Sequence, residues 1–290
     1  MKKAISLITA IACAGLMCAQ AVSLQQMRFH CVKDTTEINL LLEKGQSASL
    51  KTPNQLVAFY AQELLDRPYV AHTLEGETEL LTINIDQLDC TTFVETLYAL
   101  TRATLNGRTS WRDYASALED LRYRDGQMGD YSTRLHYISE WIVNNRSRGN
   151  LIEVTPDVPT CAYLVKNIDF MSRHKDSYVS LKDDEAMVEK IRKCEMGYRN
   201  HRMPYIKKQW LARKDVKAAL KTGDFVGLVT KIDGLDISHL GIVYKDERGE
   251  VYLLDASMTG GKVQIEKENM YDMLQHSKNN IGLRVFRIMQ

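Results

Sequence analysis

The segment Asp89-Cys90-Thr91-Thr92-Phe93-Val94-Glu95 sets a thiol immediately after a carboxylate of helix-capping type. Asp89 reads as an N-cap, and Phe93, Val94, Leu97 and Leu100 form the apolar stripe of a helix running to about Thr104. Cys90 then sits in the first turn, where unpaired N–H groups and the positive end of the helix dipole favour a thiolate, the species that attacks a carbonyl carbon. On this segment alone an ordinary buried thiol fits as well as a nucleophile. The balance shifts further on, at Ile237-Ser238-His239-Leu240-Gly241-Ile242-Val243-Tyr244, a turn, and Val251-Tyr252-Leu253-Leu254-Asp255-Ala256-Ser257. Folding this hairpin about Glu247 would set His239 directly opposite Asp255, with a bulge at Gly249 shifting the register by one. A carboxylate beside imidazole orients the ring and stabilises its charged form, the third-member task in a nucleophile–base–orienter array.

The elements that must position these groups are readable from period and punctuation. Thr52-Pro53-Asn54-Gln55 carries an N-cap, a Pro in the first turn and a capping-box partner for a helix to about Leu65. Ser110 caps a helix that Gly126 ends, residues 132–144 place Leu135, Ile138, Trp141 and Ile142 on one helical face, and another helix follows Asp183-Asp184. After Gly223 the period falls to two, giving strands at 225–232, 237–245, 250–256 and 281–288, with Asp246-Glu247-Arg248-Gly249 as a hairpin turn. Helices first and an antiparallel sheet second predict an α+β fold. With no repeat or low-complexity linker in 290 residues, a single domain is expected.

Composition narrows the functional class. Lys2-Lys3, the apolar run from Ala4 to Met17 and Ala19-Gln20-Ala21 have the layout of a cleaved signal peptide spanning 1–21, which places the mature chain, 22–290, in the periplasm or outside the cell. The run is short for a membrane span, and no other segment would cross a bilayer. Without Lys2 and Lys3, 36 basic residues face 37 acidic ones, a balance of −1 that leaves no electrostatic footprint for nucleic acid. Lys207-Lys208-Gln209-Trp210 reads as a solvated face. Cys31, Cys90, Cys161 and Cys194 follow no metal or redox spacing, so neither a metal nor another cofactor is expected, and at most one disulfide forms if Cys90 is kept for chemistry. A monomer is expected.

Taken in order, Tyr69 after Arg67-Pro68, the Asp89–Glu95 helix start, Gly223-Asp224 before a strand, Ser238-His239-Leu240-Gly241-Ile242 and Asp255-Ala256-Ser257 resemble the NlpC-type, papain-like cysteine amidases and endopeptidases of bacterial cell walls. Arg134-Leu135-His136-Tyr137 with Trp141 and Asn144-Asn145, Gly234-Leu235-Asp236, and Tyr271 with Gly282 bring it nearer to the N-acetylmuramoyl-L-alanine amidase-like branch, over about residues 55–287. The resemblance implies a papain-like core with Cys90 as nucleophile, His239 as base and a polar third residue on the next strand. That third position is often His in the family; here it is Asp255, which can orient an imidazolium and leaves the resting charge state open. The resemblance also implies that Tyr69 lines the acyl-side peptide pocket and that Asp89 or Ser238 holds substrate polar groups. The long stretch between Cys90 and His239 marks 108–215 as a large, mainly helical insertion shaping a pocket, with Arg134 suited to a substrate carboxylate and His136 beside it. The activity implied is cleavage of the N-acetylmuramoyl-L-alanine bond in peptidoglycan fragments, anhydro-muropeptides included. The alternatives are a γ-D-glutamyl-diamino acid endopeptidase and a catalytically silent wall-binding module.

Overall fold

The computed structural model describes residues 22–290, so the expected leader lies outside it. Strand β1 (Met27–Phe29) is followed by helices α1 (Asp34–Ser47) and α2 (Pro53–Glu63), and β2 (Leu81–Ile83) pairs in parallel with β1. Helices α3 (Cys90–Leu105), α4 (Trp111–Arg122) and α5 (Ile138–Ser147) lead to β3 (Leu151–Glu153) and β4 (Cys161–Lys166). Two single-turn helices, α6 (Phe170–Arg173) and α7 (Val179–Lys182), precede α8 (Glu185–Met196), β5 (His201–Lys207) and α9 (Lys214–Ala219). The chain closes with β6 (Phe225–Thr230), β7 (Ile237–Lys245), β8 (Val251–Ser257), β9 (Lys262–Ile265), α10 (Met270–His276) and β10 (Asn280–Ile288).

The main sheet runs β4-β5-β10-β6-β7-β8-β9, with β3 also on β10, and its pairings are antiparallel, which makes the fold α+β. The expected order of helices first and strands second needs correction. Residues 108–215 are rich in helix, with α4, α5 and α8, but they also carry β3, β4 and β5, which extend the sheet at one end. The expected helix over 132–144 also starts late. Arg134 is extended and bridges Tyr123, so α5 begins only at Ile138. Its first turn is anchored from outside: Asp236, buried in the loop before β7, accepts the Ser139 N–H at 2.5 Å.

Helix α2 has the expected capping box, with the Thr52 hydroxyl accepting from Gln55 N at 3.3 Å. Helix α3 is buried on nearly every side, and Phe93, Val94, Leu97 and Leu100 pack with Ile38 and Leu42 of α1, Leu56 of α2 and Ile242 and Leu254 of the sheet. A helix apolar all round is one that a core encloses. The opposite face of the sheet is covered by α9 and α10 through Val216, Met270 and Leu274 against Val243, Leu253 and Val285. Thus both layers grip the strands that carry His239 and Asp255.

Where α2 meets the start of β6, Gly223 holds φ +86° and a Cβ there would fall 2.2 Å from the Asn54 carbonyl oxygen. Asp224, fully buried, ties the same corner by accepting from Arg287 Nε at 2.6 Å and Asn54 Nδ2 at 2.8 Å. Gly107 also has positive φ but open space around it. Gly107→Ala is therefore expected to cost about 1–3 kcal/mol from backbone strain, and Gly223→Ala more, because α2 must also move. Urea midpoints of the two variants check the order.

Candidate active site

Asp89 builds the site from the backbone outward. Its Oδ1 accepts from Thr91 N at 3.0 Å and Thr92 N at 2.8 Å, while Thr92 Oγ1 accepts from Asp89 N at 2.9 Å. This reciprocal cap starts α3 at Cys90, leaves the Cys90 N–H out of the capping bonds and fixes a half-buried sulfur at the helix head. Tyr69 is held in place by its N–H to Gly261 O and a parallel bridge to Leu88. Its phenol is pushed up by burial first and then by Cys90 and Asp89 nearby.

His239 reaches the sulfur from β7. A register shift between Leu228 and Val229 leaves Ser238 as an extra residue in β7, a bulge of the kind that re-aims the side chain beside it. Ser238 is exposed and donates to Asn280 Oδ1 at 2.7 Å, pinning the bulge to β10. The hairpin turns over Asp246–Glu250, and Lys245 faces Val251, so the register lies two residues from the expected one. His239 and Asp255 are therefore diagonal neighbours on one face and not directly opposite. Continuing the ladder puts Gly241 opposite Asp255, and a Cβ on Gly241 would approach Asp255 Cβ at 3.0 Å and Leu254 O at 2.8 Å. The missing side chain at 241 is what lets Asp255 lean across.

Asp255 Oδ2 and His239 Nε2 form a short hydrogen bond, which leaves the other ring nitrogen for Cys90, the sulfur that stands near the ring and favours its charged form. Burial works against a charged ring. The bond to Asp255 and the nearness of Cys90 outweigh it and push the imidazole from 6.5 up to about 10. The ring is therefore charged at neutral pH. Asp255 is itself raised, by burial first and by the Glu266 carboxyl next to it, against the lowering effect of His239.

Five of the eight expected site residues, Cys90, His239, Asp255, Tyr69 and Asp89, thus come together, and Ser238 flanks them. The role expected for Asp89 shifts, since its Oδ1 is spent on the helix cap. Arg134 is not presented as a free carboxylate receptor: it is buried, with Nε and Nη2 on Glu79 at 2.9 and 2.6 Å and Nη1 on Glu75 at 2.9 Å. His136 gives Nε2 to Tyr131 O at 2.8 Å, and burial together with Arg134 drives it down to about 3, so it stays neutral. Gly241 and Glu266 are the functional-site residues that sequence reasoning did not assign. Only the strand register, which period alone does not fix, would have singled them out.

Cys31, Asp34 and Asp86 offer ligand atoms within 4.8 Å of one another, but Arg67 already pairs with Asp86 at 2.8 Å and the Cys31 thiol donates to Asp86 at 3.4 Å, so the cluster is satisfied internally. The four cysteines of the described residues are free thiols. No helix among those residues is long and apolar enough to cross a membrane.

Residues 60–283 match a family model described as AmiA-like, N-acetylmuramoyl-L-alanine amidase-like. Among solved structures, an N-acetylmuramoyl-L-alanine amidase from Bacteroides uniformis is 34% identical over 82% of this chain and 99% of its own, with a TM-score of 0.78. A Bacteroides fragilis protein provisionally described as a xylanase is 37% identical over 78% of this chain and 98% of its own, with a TM-score of 0.74. A Legionella pneumophila protein, 19% identical over 88% of this chain and 95% of its own at TM-score 0.67, shares the fold. No curated protein matches.

Two outcomes are expected from the geometry. Gly241→Ala, by pushing Asp255 away from His239 on the scale of 1 Å, should lower turnover roughly 100-fold while leaving the fold intact by circular dichroism. The stability that His239 draws from its partners is complete below pH 6.5 and is lost as pH rises through about 10. The urea-midpoint gap between wild type and Asp255→Asn should therefore be wide at pH 6 and narrow by pH 10.5; a gap that grows with pH would contradict this charge assignment.

Proposed function

The chain belongs to the AmiA-like, N-acetylmuramoyl-L-alanine amidase-like family, and from that premise we propose a cysteine-dependent amidase that cleaves the bond between the lactyl group of N-acetylmuramic acid and L-Ala in peptidoglycan fragments. The convergence of Cys90, His239 and Asp255 carries this reading. The Cys90 thiolate adds to the amide carbonyl carbon, and the developing oxyanion meets the uncapped Cys90 N–H. His239 passes its proton to the departing L-Ala nitrogen, the C–N bond breaks, and a thioester to Cys90 remains. Water, deprotonated by His239, then cleaves the thioester, releasing the lactyl carboxylate and restoring the thiolate–imidazolium pair. Asp255 holds the ring through both proton transfers, and Tyr69 walls the acyl side.

The reading includes a papain-like core of NlpC type, a single catalytic domain over residues 22–290, and export by the 1–21 segment to the compartment that holds the wall. Glycoside cleavage, the activity given to the Bacteroides fragilis relative, fits this site poorly. It uses two carboxyls about 5–9.5 Å apart that flank a sugar bond, whereas Asp255 and Glu266 lie within hydrogen-bonding reach of each other, behind His239.

Incubation with a disaccharide-tetrapeptide, followed by mass analysis, should yield free disaccharide and intact tetrapeptide. A dipeptide left on the sugar would mean a γ-D-glutamyl endopeptidase instead. Cys90→Ala should lower turnover on the order of 10⁴-fold or more while substrate is still bound. Unchanged product formation in that variant would remove the cysteine from the mechanism, and no product from wild type would favour a silent binding module.

A further inference from the structure

Asp255 has one oxygen too many for its known partners. Oδ2 is bound to His239, but Oδ1 is buried and has no donor. A buried carboxylate oxygen without a donor is costly, on the order of 1–3 kcal/mol or more for a charged group. The register shows what faces it. Asp255 pairs with Gln264 on β9, and the Glu266 N–H bonds to Leu253 O, so Glu266 emerges on the same sheet face one diagonal step from Asp255. His239, Asp255 and Glu266 form an oblique line across β7, β8 and β9. The half-buried Glu266 carboxyl lies within hydrogen-bonding reach of Asp255 and accepts from Gln264 Nε2 at 3.2 Å.

Building on the amidase reading, we propose that Glu266 is a positioning residue: it shares one proton with Asp255, supplies the hydrogen bond that Oδ1 lacks, and so holds Oδ2 on His239. Two like charges in hydrogen-bonding contact cannot both persist in a buried site, and one shared proton resolves the repulsion while creating the missing donor. The groups acting on this line are Cys90 from the head of α3, His239 from β7, and Gln264 and Glu266 from β9. The direction of the Asp255 shift agrees, since the carboxyl is raised despite its imidazolium neighbour. The shared proton also limits the charge behind the ring: Asp255 and Glu266 together then carry one negative charge opposite the imidazolium and not two.

The test uses Glu266→Gln, whose amide N–H can donate to Oδ1 at all pH values, and Glu266→Met, which fills the space without a donor. Glu266→Gln should keep kcat within about threefold of wild type but lose the step in the kcat–pH profile that belongs to the shared proton. Glu266→Met should lose roughly tenfold or more in kcat with KM unchanged. Infrared spectroscopy of the full mature chain should show a protonated-carboxyl band at neutral pH that disappears in both Glu266→Gln and Asp255→Asn. Absence of that band in wild type, or wild-type kcat and pH profile in both Glu266 variants, overturns the proposal. Cys90→Ala separates the two readings: if it still turns over while the band is present, the carboxyl pair stands and the cysteine mechanism falls.

Discussion

A half-buried imidazolium is costly to maintain, and the architecture around the site is arranged to maintain one. The ring of His239 is bonded to a carboxylate on one nitrogen and has the Cys90 sulfur near the other, and both favour its charged form. Each support is itself constrained. Ser238 bulges β7 to aim the ring, Gly241 opens the diagonal that Asp255 crosses, and Asp89 fixes the helix start that presents the sulfur. Loosening any one of these misdirects a charge in a site where solvent offers little compensation, which is why the positioning groups sit on paired strands and a capped helix and not on free loops.

The same logic of compensated charge extends into the walls. Glu95 on α3 is fully paired with Arg122 on α4 at 2.8 Å, and Arg122 also donates to Thr82 O on β2, so the nucleophile helix is keyed to the small parallel sheet. Arg134 clamps the 74–79 loop through Glu75, Glu79 and Leu74 O, and Arg284 on β10 joins Glu153 on β3 to Ser139 on α5. Buried ion pairs of this kind contribute little net stability against well-packed apolar residues, but removing one partner strands a charge. Their value here is geometric. They fix which surfaces meet α3 and the sheet, and residues between the nucleophile and the base become part of the scaffold through them.

Much of this was legible from the sequence where local rules decide the outcome. The capping box at Thr52, the N-cap at Asp89, the apolar stripe of α3, and the strands of β6, β7 and β8 follow from side-chain type and period, and all are present. Strands β3, β4 and β5 were not visible. β4 lies at the sheet edge with alternating half-buried and exposed residues, Tyr163 and Val165 among the exposed ones, and its pairing with β5 spans a long loop closure that period cannot encode. The hairpin was found but its register missed by two, because Asp246 accepts the Gly249 N–H and also donates to Glu250 O, so five residues form the turn. Arg134 and His136 looked like ligand groups because residue type was all that could be read; their actual partners, Glu75, Glu79 and Tyr131 O, are set by tertiary packing.

The offset between the two strands of this hairpin shapes the site itself. Directly opposed, His239 and Asp255 would meet as ordinary cross-strand neighbours and make no demand on the residues beside them. The diagonal placement does the opposite: it requires a glycine at 241, and it carries the line of polar groups one strand further, to Glu266. An aspartate reaching diagonally spans a longer gap to the ring than a directly opposed partner would. At that reach it orients the imidazole well only if its second oxygen is also held. The demand for a partner on Oδ1 thus arises from the same offset that distinguishes this hairpin from the simplest pairing, and the carboxyl that stands nearest on the next strand is where that demand is met.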